Sequence, residues 1–243
     1  MVAGVIALAG NPNTGKSTLF NALTGLRQHT GNWPGKTVLV AWGEALYRGR
    51  RYQIVDLPGT YSLTAASPEE EVARDFLCLR RPDVTVVVTD ATCLERNLSL
   101  VLQVLEVTSR AVVCVNLIDE ARRKGLFVDV DVLSEELGVP VVATSARRRE
   151  GLGLLMEKVD AVARGRIKPN ARPVVYSAPV EEAVRQLQGR LRALGINGRL
   201  GRWAALRLLE GETSLLATLR RCAGGGDPAE RVIHPELARH RCS

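Results

Sequence analysis

The chain has 243 residues, 46% hydrophobic and 24% charged, which describes a soluble globular chain with room for one full domain and a smaller second one. No run approaches the roughly 18 uncharged apolar residues that a membrane span requires. The net charge of +7 lies entirely in the last third: residues 1–165 carry 19 Lys+Arg and 19 Asp+Glu, whereas residues 166–243 carry 14 and 7.

The opening "MVAGVIALAG" lacks a basic leader and runs straight into a Gly-rich turn, so it reads as a buried strand and not a signal peptide. Short, β-branched apolar runs follow it at 53–55, 84–89, 111–115 and 139–143, after a first one at 5–9. Helical spacing falls between them, at 17–23, 68–79, 97–107 and 152–164. Ser67-Pro68-Glu69-Glu70 offers an N-cap, a first-turn proline and an acidic opening. This alternation predicts an α/β fold, a mostly parallel doubly wound sheet of the P-loop NTPase class, over residues 1–165. "RGRIKPNARP" (164–173) breaks the pattern as a linker.

Beyond the linker the strands stop, and residues 166–243 are expected to form a small all-helical domain. Val180, Val184, Leu187, Leu191 and Leu194 mark one helix face; Trp203, Leu206 and Leu209 mark a second, with Trp203 in the core. Leu215, Leu216 and Leu219 mark a third, before "GGGD" (224–227) interrupts. The basic charge of this third suits solvated helix faces, or a surface toward something anionic. Cys78, Cys93, Cys114, Cys222 and Cys242 form no CxxC pair, and His29, His234 and His240 have no ligand spacing, so none suggests a metal site.

The chemistry begins at Gly10-Asn11-Pro12-Asn13-Thr14-Gly15-Lys16-Ser17, which fits GxxxxGK(S/T) between a predicted strand and a predicted helix. Gly15 lets the backbone approach phosphates, amides from Asn13 to Thr18 cradle them, Lys16 bridges the β- and γ-oxygens, and Ser17 ligates Mg²⁺. Asp56-Leu57-Pro58-Gly59 ends a second apolar run: Asp56 would hold Mg²⁺ through water, and the Gly59 amide would meet the γ-phosphate. Asn116-Leu117-Ile118-Asp119 ends the run at 111–115. The Asp119 carboxylate can accept from both the ring N–H and the exocyclic amine of guanine, a pair that adenine lacks. Leu117 stands where this motif usually has lysine, which predicts weaker and faster-exchanging binding. Thr144-Ser145-Ala146-Arg147 follows the next run and would complete guanine recognition through backbone amides; Arg147-Arg148-Arg149 suits a solvated run. Together these motifs predict GTP and GDP as ligands.

"GNPNTGKSTLFNALTG", "GNWPGKTV" (31–38), "VDLPGTYSL" (55–63), "DATCLERNL" (90–98) and "NLID" together resemble the cytosolic G-domain of the bacterial ferrous iron transport protein B family. "RWAALRLLEGE" (202–212) resembles that family's helical domain, described as similar to a guanine-dissociation-inhibitor element. The resemblance implies a GTP-hydrolysing regulatory domain on the cytoplasmic face of the bacterial inner membrane. It also implies a polytopic transmembrane domain continuing after this stretch, with Fe(II) as the transported ion and no nucleic acid partner; self-association stays open. Thr37 would be the switch residue meeting Mg²⁺ and γ-phosphate, flanked by Gly35 and Lys36. Lys36 and Leu39 depart from the "GVTVE" usual there, and "AWGEALYRGRRYQ" is unusual for its region.

No glutamine follows Gly59; Thr60 and Tyr61 stand there. By resemblance to potassium-activated relatives, Asn13 would ligate K⁺ beside the phosphates, with Asn32 and Trp33 completing the site and the ion standing in for an arginine finger. Thr60 is the nearest side chain to hold the water. Two other classes remain open from the residues: an RNA- or ribosome-associated GTPase using the basic third, and a GTP sensor without hydrolysis.

Overall fold

Apolar runs without alternation become strands buried on both faces, and β1 (Val2–Gly10) illustrates this: Ile6 and Leu8 enter one core, Ala7 and Ala9 the other. The structure, a computed structural model, describes residues 2–25, 28–33, 36–64, 67–212, 215 and 219. In chain order the elements are β1, α1 (Lys16–Thr24), β2 (Gln28–Asn32), β3 (Leu39–Tyr47), β4 (Arg50–Asp56), α2 (Pro68–Asp75), β5 (Val84–Asp90), α3 (Leu94–Val107) and β6 (Ala111–Asn116). There follow α4 (Ile118–Arg123), α5 (Val130–Leu137), β7 (Val141–Ala143), α6 (Leu152–Ala163), α7 (Ala178–Ala193) and α8 (Gly198–Leu209).

The strands form one seven-stranded sheet in the order β2-β3-β4-β1-β5-β6-β7. All pairs from β4 to β7 are parallel, and β2-β3 and β3-β4 are antiparallel. The first strand in sequence is therefore central, with the chain winding outward on both sides. The carboxyl ends of β1, β4, β5 and β6 open at this reversal, where ligands bind in such sheets. On one face α1 and α6 cover the sheet through Leu19, Phe20, Leu155, Met156 and Val159; on the other, α2 and α3 do so through Val72, Leu100 and Val104.

The antiparallel pair β2–β3 lies beyond the predicted alternation. The stretch "AWGEALYRGRRYQ" is a hairpin whose turn places Arg48 (φ 47°) and Gly49 (φ 76°) in the left-handed region. Such a turn is normally announced by Asn-Gly or Asp-Gly; an arginine in the first position hides it. The helices α4 and α5, of six and eight residues, also went unpredicted, being too short for a periodic signal. The helix expected over 68–79 starts as predicted, with Ser67 Oγ accepting from the Glu70 amide at 3.2 Å. After Asp75 it widens into a π-helical turn, Phe76–Arg80.

The helices α7 and α8 follow most of the expected apolar stripes, and Trp203 is fully buried; Leu194, just past α7, and Leu209, the last residue of α8, are exposed instead, because each stripe leaves the packed face at the helix end. Their apolar face forms no separate core: Val184, Leu191, Leu200, Trp203 and Leu206 join the layer that holds Leu100 and Val104 of α3. Leu215 and Leu219 are buried there too. Leu216, the "GGGD" stretch, Gly35, Cys222, Cys242, His234 and His240 lie outside the described residues. Among the described residues no helix is long and apolar enough to cross a membrane.

Candidate nucleotide site

The turn from β1 into α1 is shaped by what cannot fit. A Cβ on Gly10 would stand 2.5 Å from the Val88 carbonyl oxygen, and one on Gly15 2.5 Å from Asn116 Nδ2. Gly15 also has φ 77°, a conformation that L side chains rarely adopt. Asn13 shares the left-handed region at φ 65°, where asparagine is the most tolerant side chain. Thr14 Oγ1 donates to the Asn11 carbonyl at 2.9 Å, closing the turn on itself. The result is a cleft of about 420 Å³ lined by residues 11–13, 15–18 and Gly59 at the N-terminus of α1. Main-chain N–H groups and a helix dipole favour an anion there.

Three predicted residues converge at its mouth. Lys16 Nζ donates to Asp56 Oδ1 and to the Leu57 carbonyl, and Ser17 Oγ donates to Asp56 Oδ2 at 3.0 Å. The Leu57 amide donates to Leu8 O at 3.0 Å and the Thr60 amide to Gly10 O at 3.1 Å, tying the Asp56–Gly59 turn to β1 and the glycine loop. Sequence separation near 40 residues thus collapses into one acid, one hydroxyl and one ammonium group in mutual contact. This donor set, carboxylate and hydroxyl oxygens beside phosphate-binding amides, suits Mg²⁺.

The residues expected to read the base form a second cluster, bolted by Asn116. This side chain is fully buried; its Nδ2 donates to Thr14 O at 2.9 Å, and its Oδ1 accepts from Thr144 Oγ1 at 3.1 Å and the Ala146 amide at 3.0 Å. One amide group therefore joins the phosphate turn to the 144–146 loop. The Ala146 amide, expected to face the base, is engaged by this bolt. Leu117 opens α4 at φ 61°, and its Cδ2 comes within 3.7 Å of where a Gly15 Cβ would be, so an aliphatic stem still covers the turn.

Asp119 is nearly buried, with Arg148 Nε 3.2 Å from its Oδ2. Burial pushes its carboxyl upward, but the Ser145 hydroxyl, its own amide, and Arg148 and Arg123 outweigh this and hold it below the usual carboxylate range. Ser145 Oγ is buried and meets the Asp119 carboxylate only loosely, short of full hydrogen-bond geometry. Arg147, Arg148 and Arg149 are exposed, as expected of a solvated run, though Arg148 is held by Asp119. Two supporting residues were missed as such. Asn97 Oδ1 accepts from the Asp90 amide at 2.8 Å, and the Ala91 amide donates to Asn116 O at 2.9 Å, so the "DATCLERNL" segment braces Asn116. The buried Asn97 seven residues after the strand-end Asp90 was the available signal.

The residues expected in the switch loop and the cation site, and Thr60, are placed differently. Asn32 pairs with Leu39 in β2–β3, exposed on the edge strand. Trp33 is buried against Phe76, and its carbonyl accepts from the Lys36 amide at 3.0 Å. Lys36 pairs with Glu71, and Thr37 is exposed; none of the four lines the cleft. Thr60 is buried; its hydroxyl donates to Ser62 O at 2.6 Å and accepts from the Ser62 amide at 3.2 Å, so in this structure it serves its own turn.

The sequence profile described as Ferrous iron transport protein B matches residues 4–159. The Fe(2+) transporter FeoB of Shigella flexneri is 36% identical over 252 residues, covering 98% of this chain and 32% of that protein. That of Salmonella typhimurium is 39% identical over 212 residues, covering 85% of this chain and 27% of that protein. The chain thus spans a third or less of these relatives' length. Among solved structures, an S. thermophilus NFeoB mutant bound to GDP superimposes with a TM-score of 0.80 at 36% identity, over 92% of this chain and 87% of that one. The cytosolic domain of L. pneumophila FeoB gives 0.81 at 33% identity, over 90% and 87%.

Proposed function

The chain belongs to the ferrous iron transport protein B family, and on that premise we propose that it is a GTP-binding and GTP-hydrolysing regulatory domain of a bacterial Fe(II) transporter. The observation that carries the reading is the meeting of Lys16, Ser17 and Asp56 beside the glycine turn, joined through Asn116 to a carboxylate that can select guanine. The GDP in the S. thermophilus relative supports the same ligand here.

Lys16 would hold the β- and γ-phosphate oxygens together with the amides of residues 13–18, and Gly59, which lines the cleft, would offer its amide to the γ-phosphate. Asp119 accepts from the guanine ring N–H and amine, and its depressed proton affinity keeps it an acceptor throughout the neutral range. Ser17 and Asp56, with Thr37, would hold Mg²⁺, which would supply positive charge against the phosphates. K⁺ beside Asn13, with carbonyls of residues 32–33, would supply the fixed positive charge that other switches take from arginine. Thr37, Asn32 and Trp33 reach these positions through a movement of the β2–β3 loop. The region 1–165 is the nucleotide domain, and 166–243 relays its state toward the membrane portion of the transporter, on the cytoplasmic side.

Calorimetric titration in Mg²⁺ tests this: GDP and a GTP analogue bind, and ADP does not. Equal heats for adenine and guanine nucleotides would overturn it. Phosphate release above buffer in K⁺ separates a hydrolase from a pure sensor.

A further inference from the structure

The loop carrying Thr37 is fastened to the helix that follows Asp56–Gly59. Trp33 N donates to Val38 O at 2.8 Å and Lys36 N to Trp33 O at 3.0 Å, so residues 33 and 36–38 close on themselves with Lys36 and Thr37 at the end away from the strands. Two side chains then reach α2 and its continuation. The Trp33 ring, 3% exposed, packs on Phe76 with centroids 6.0 Å apart. The Lys36 ammonium pairs with the Glu71 carboxylate across 35 residues of sequence. Both partners are partly shielded, at 22% and 36% exposure, so the attraction is stronger than between fully solvated charges.

We propose that the Lys36–Glu71 ion pair is a tie between the two switch regions that positions Thr37 and thereby sets the preference between GTP and GDP. The proposal rests on the nucleotide reading above. In the arrangement that contains the tie, Thr37 is exposed and outside the cleft. Adjacent Cα atoms are about 3.8 Å apart, so Thr37 cannot travel several ångströms toward Ser17 without drawing Lys36 along. Only a nucleotide with a γ-phosphate recruits Thr37; GDP leaves the loop where it is. Breaking the tie therefore favours GTP selectively, because a ligand shifts a two-state element only by its differential affinity for the two states.

The test uses fluorescent GDP and a fluorescent non-hydrolysable GTP analogue, titrated in Mg²⁺ into the wild-type chain and three variants. Glu71→Gln is expected to tighten the analogue about threefold to tenfold while GDP stays within twofold. Glu71→Lys, which sets like charges opposite each other, gives a larger shift in the same direction. Adding Lys36→Glu to Glu71→Lys restores the charge pair and returns the analogue-to-GDP ratio to the wild-type value. A purely structural role would move both nucleotides together or leave the reversal unrescued, and either result overturns the tie. So does an unchanged ratio in Glu71→Gln. A wild-type chain that binds neither nucleotide would instead sink the nucleotide reading itself. If Glu71→Lys fails to fold, Glu71→Gln decides alone, since it keeps the shape and hydrogen-bonding capacity of the helix surface.

Discussion

The two halves of the candidate site are built to different standards. The half that would hold phosphate and base is braced from within: Gly10 and Gly15 fit with no space for a methyl group, Asn116 joins two loops, and Asn97 braces the loop behind it. The half that would complete hydrolysis, the β2–β3 loop with Asn32, Trp33 and Thr37, is held instead by α2, away from the cleft. The difference separates binding from turnover. On the proposed reading, recognition would draw on parts already in place, whereas chemistry would require a loop to leave one set of contacts for another, as in switches whose catalytic set is assembled by ligand.

The comparison is broken most forcefully at Asn116. Asn116→Ala removes three buried hydrogen bonds and leaves Thr14 O, Thr144 and the Ala146 amide short of partners. Guanine nucleotide affinity is expected to fall about 100-fold or more, and unfolding stability by about 2–4 kcal/mol, read by calorimetry and denaturant melts. Wild-type binding in this variant would mean that the base half is not held as described.

Asp119→Asn comes next, replacing an acceptor pair by a donor and an acceptor. GDP binding weakens by about two orders of magnitude, while xanthosine diphosphate, which carries a carbonyl in place of the amine, gains relative affinity. Competition between the two nucleotides checks it, and an unaltered ranking refutes the assignment of the base-reading carboxylate.

On the turnover side, hydrolysis in K⁺ is expected to exceed that in Na⁺ by about tenfold, and Asn13→Ala to erase that difference. Indistinguishable wild-type rates in the two salts would remove the cation from the proposal.

The smallest effect concerns acid. Because the Asp119 carboxyl is held low in the folded chain, its contribution is present above the ordinary carboxylate range and is lost as pH falls through the depressed value. Arg148→Ala removes one cause of that depression, so the acid limb of GDP affinity moves upward, and only slightly for so exposed a partner. An unmoved or lowered limb would show that Arg148 does not hold the carboxylate.

Much of the braced half was legible because its signals are local. Gly10 to Ser17 declare a strand, a turn and a helix start within eight neighbours, and Asp56 and Asn116 each end an apolar run. The β3–β4 hairpin was not legible: its turn uses Arg48, and the half-buried pattern of β3 resembles neither a fully buried strand nor a clean alternation. The surroundings of Thr60 were hidden for a related reason. A threonine near a phosphate turn suggests chemistry, but what its hydroxyl meets depends on the Ser62 carbonyl curling back onto it. Lys36 looked like a departure from a motif until Glu71 appeared beside it.

By itself the amino-acid sequence determined the kinds of group available and the local geometry of each: a glycine turn entering a helix, an acid after a second strand, a carboxylate suited to guanine. These follow from short-range sterics, propensity and spacing, which operate over a few residues. Only the folded chain decided which groups share a contact across 35 to 100 residues: Lys16 with Asp56, Asn116 with Thr14, Lys36 with Glu71, and Trp203 with the layer over α3. Those pairings depend on strand order and on helices closing over the sheet, and no single stretch of the chain carries that information.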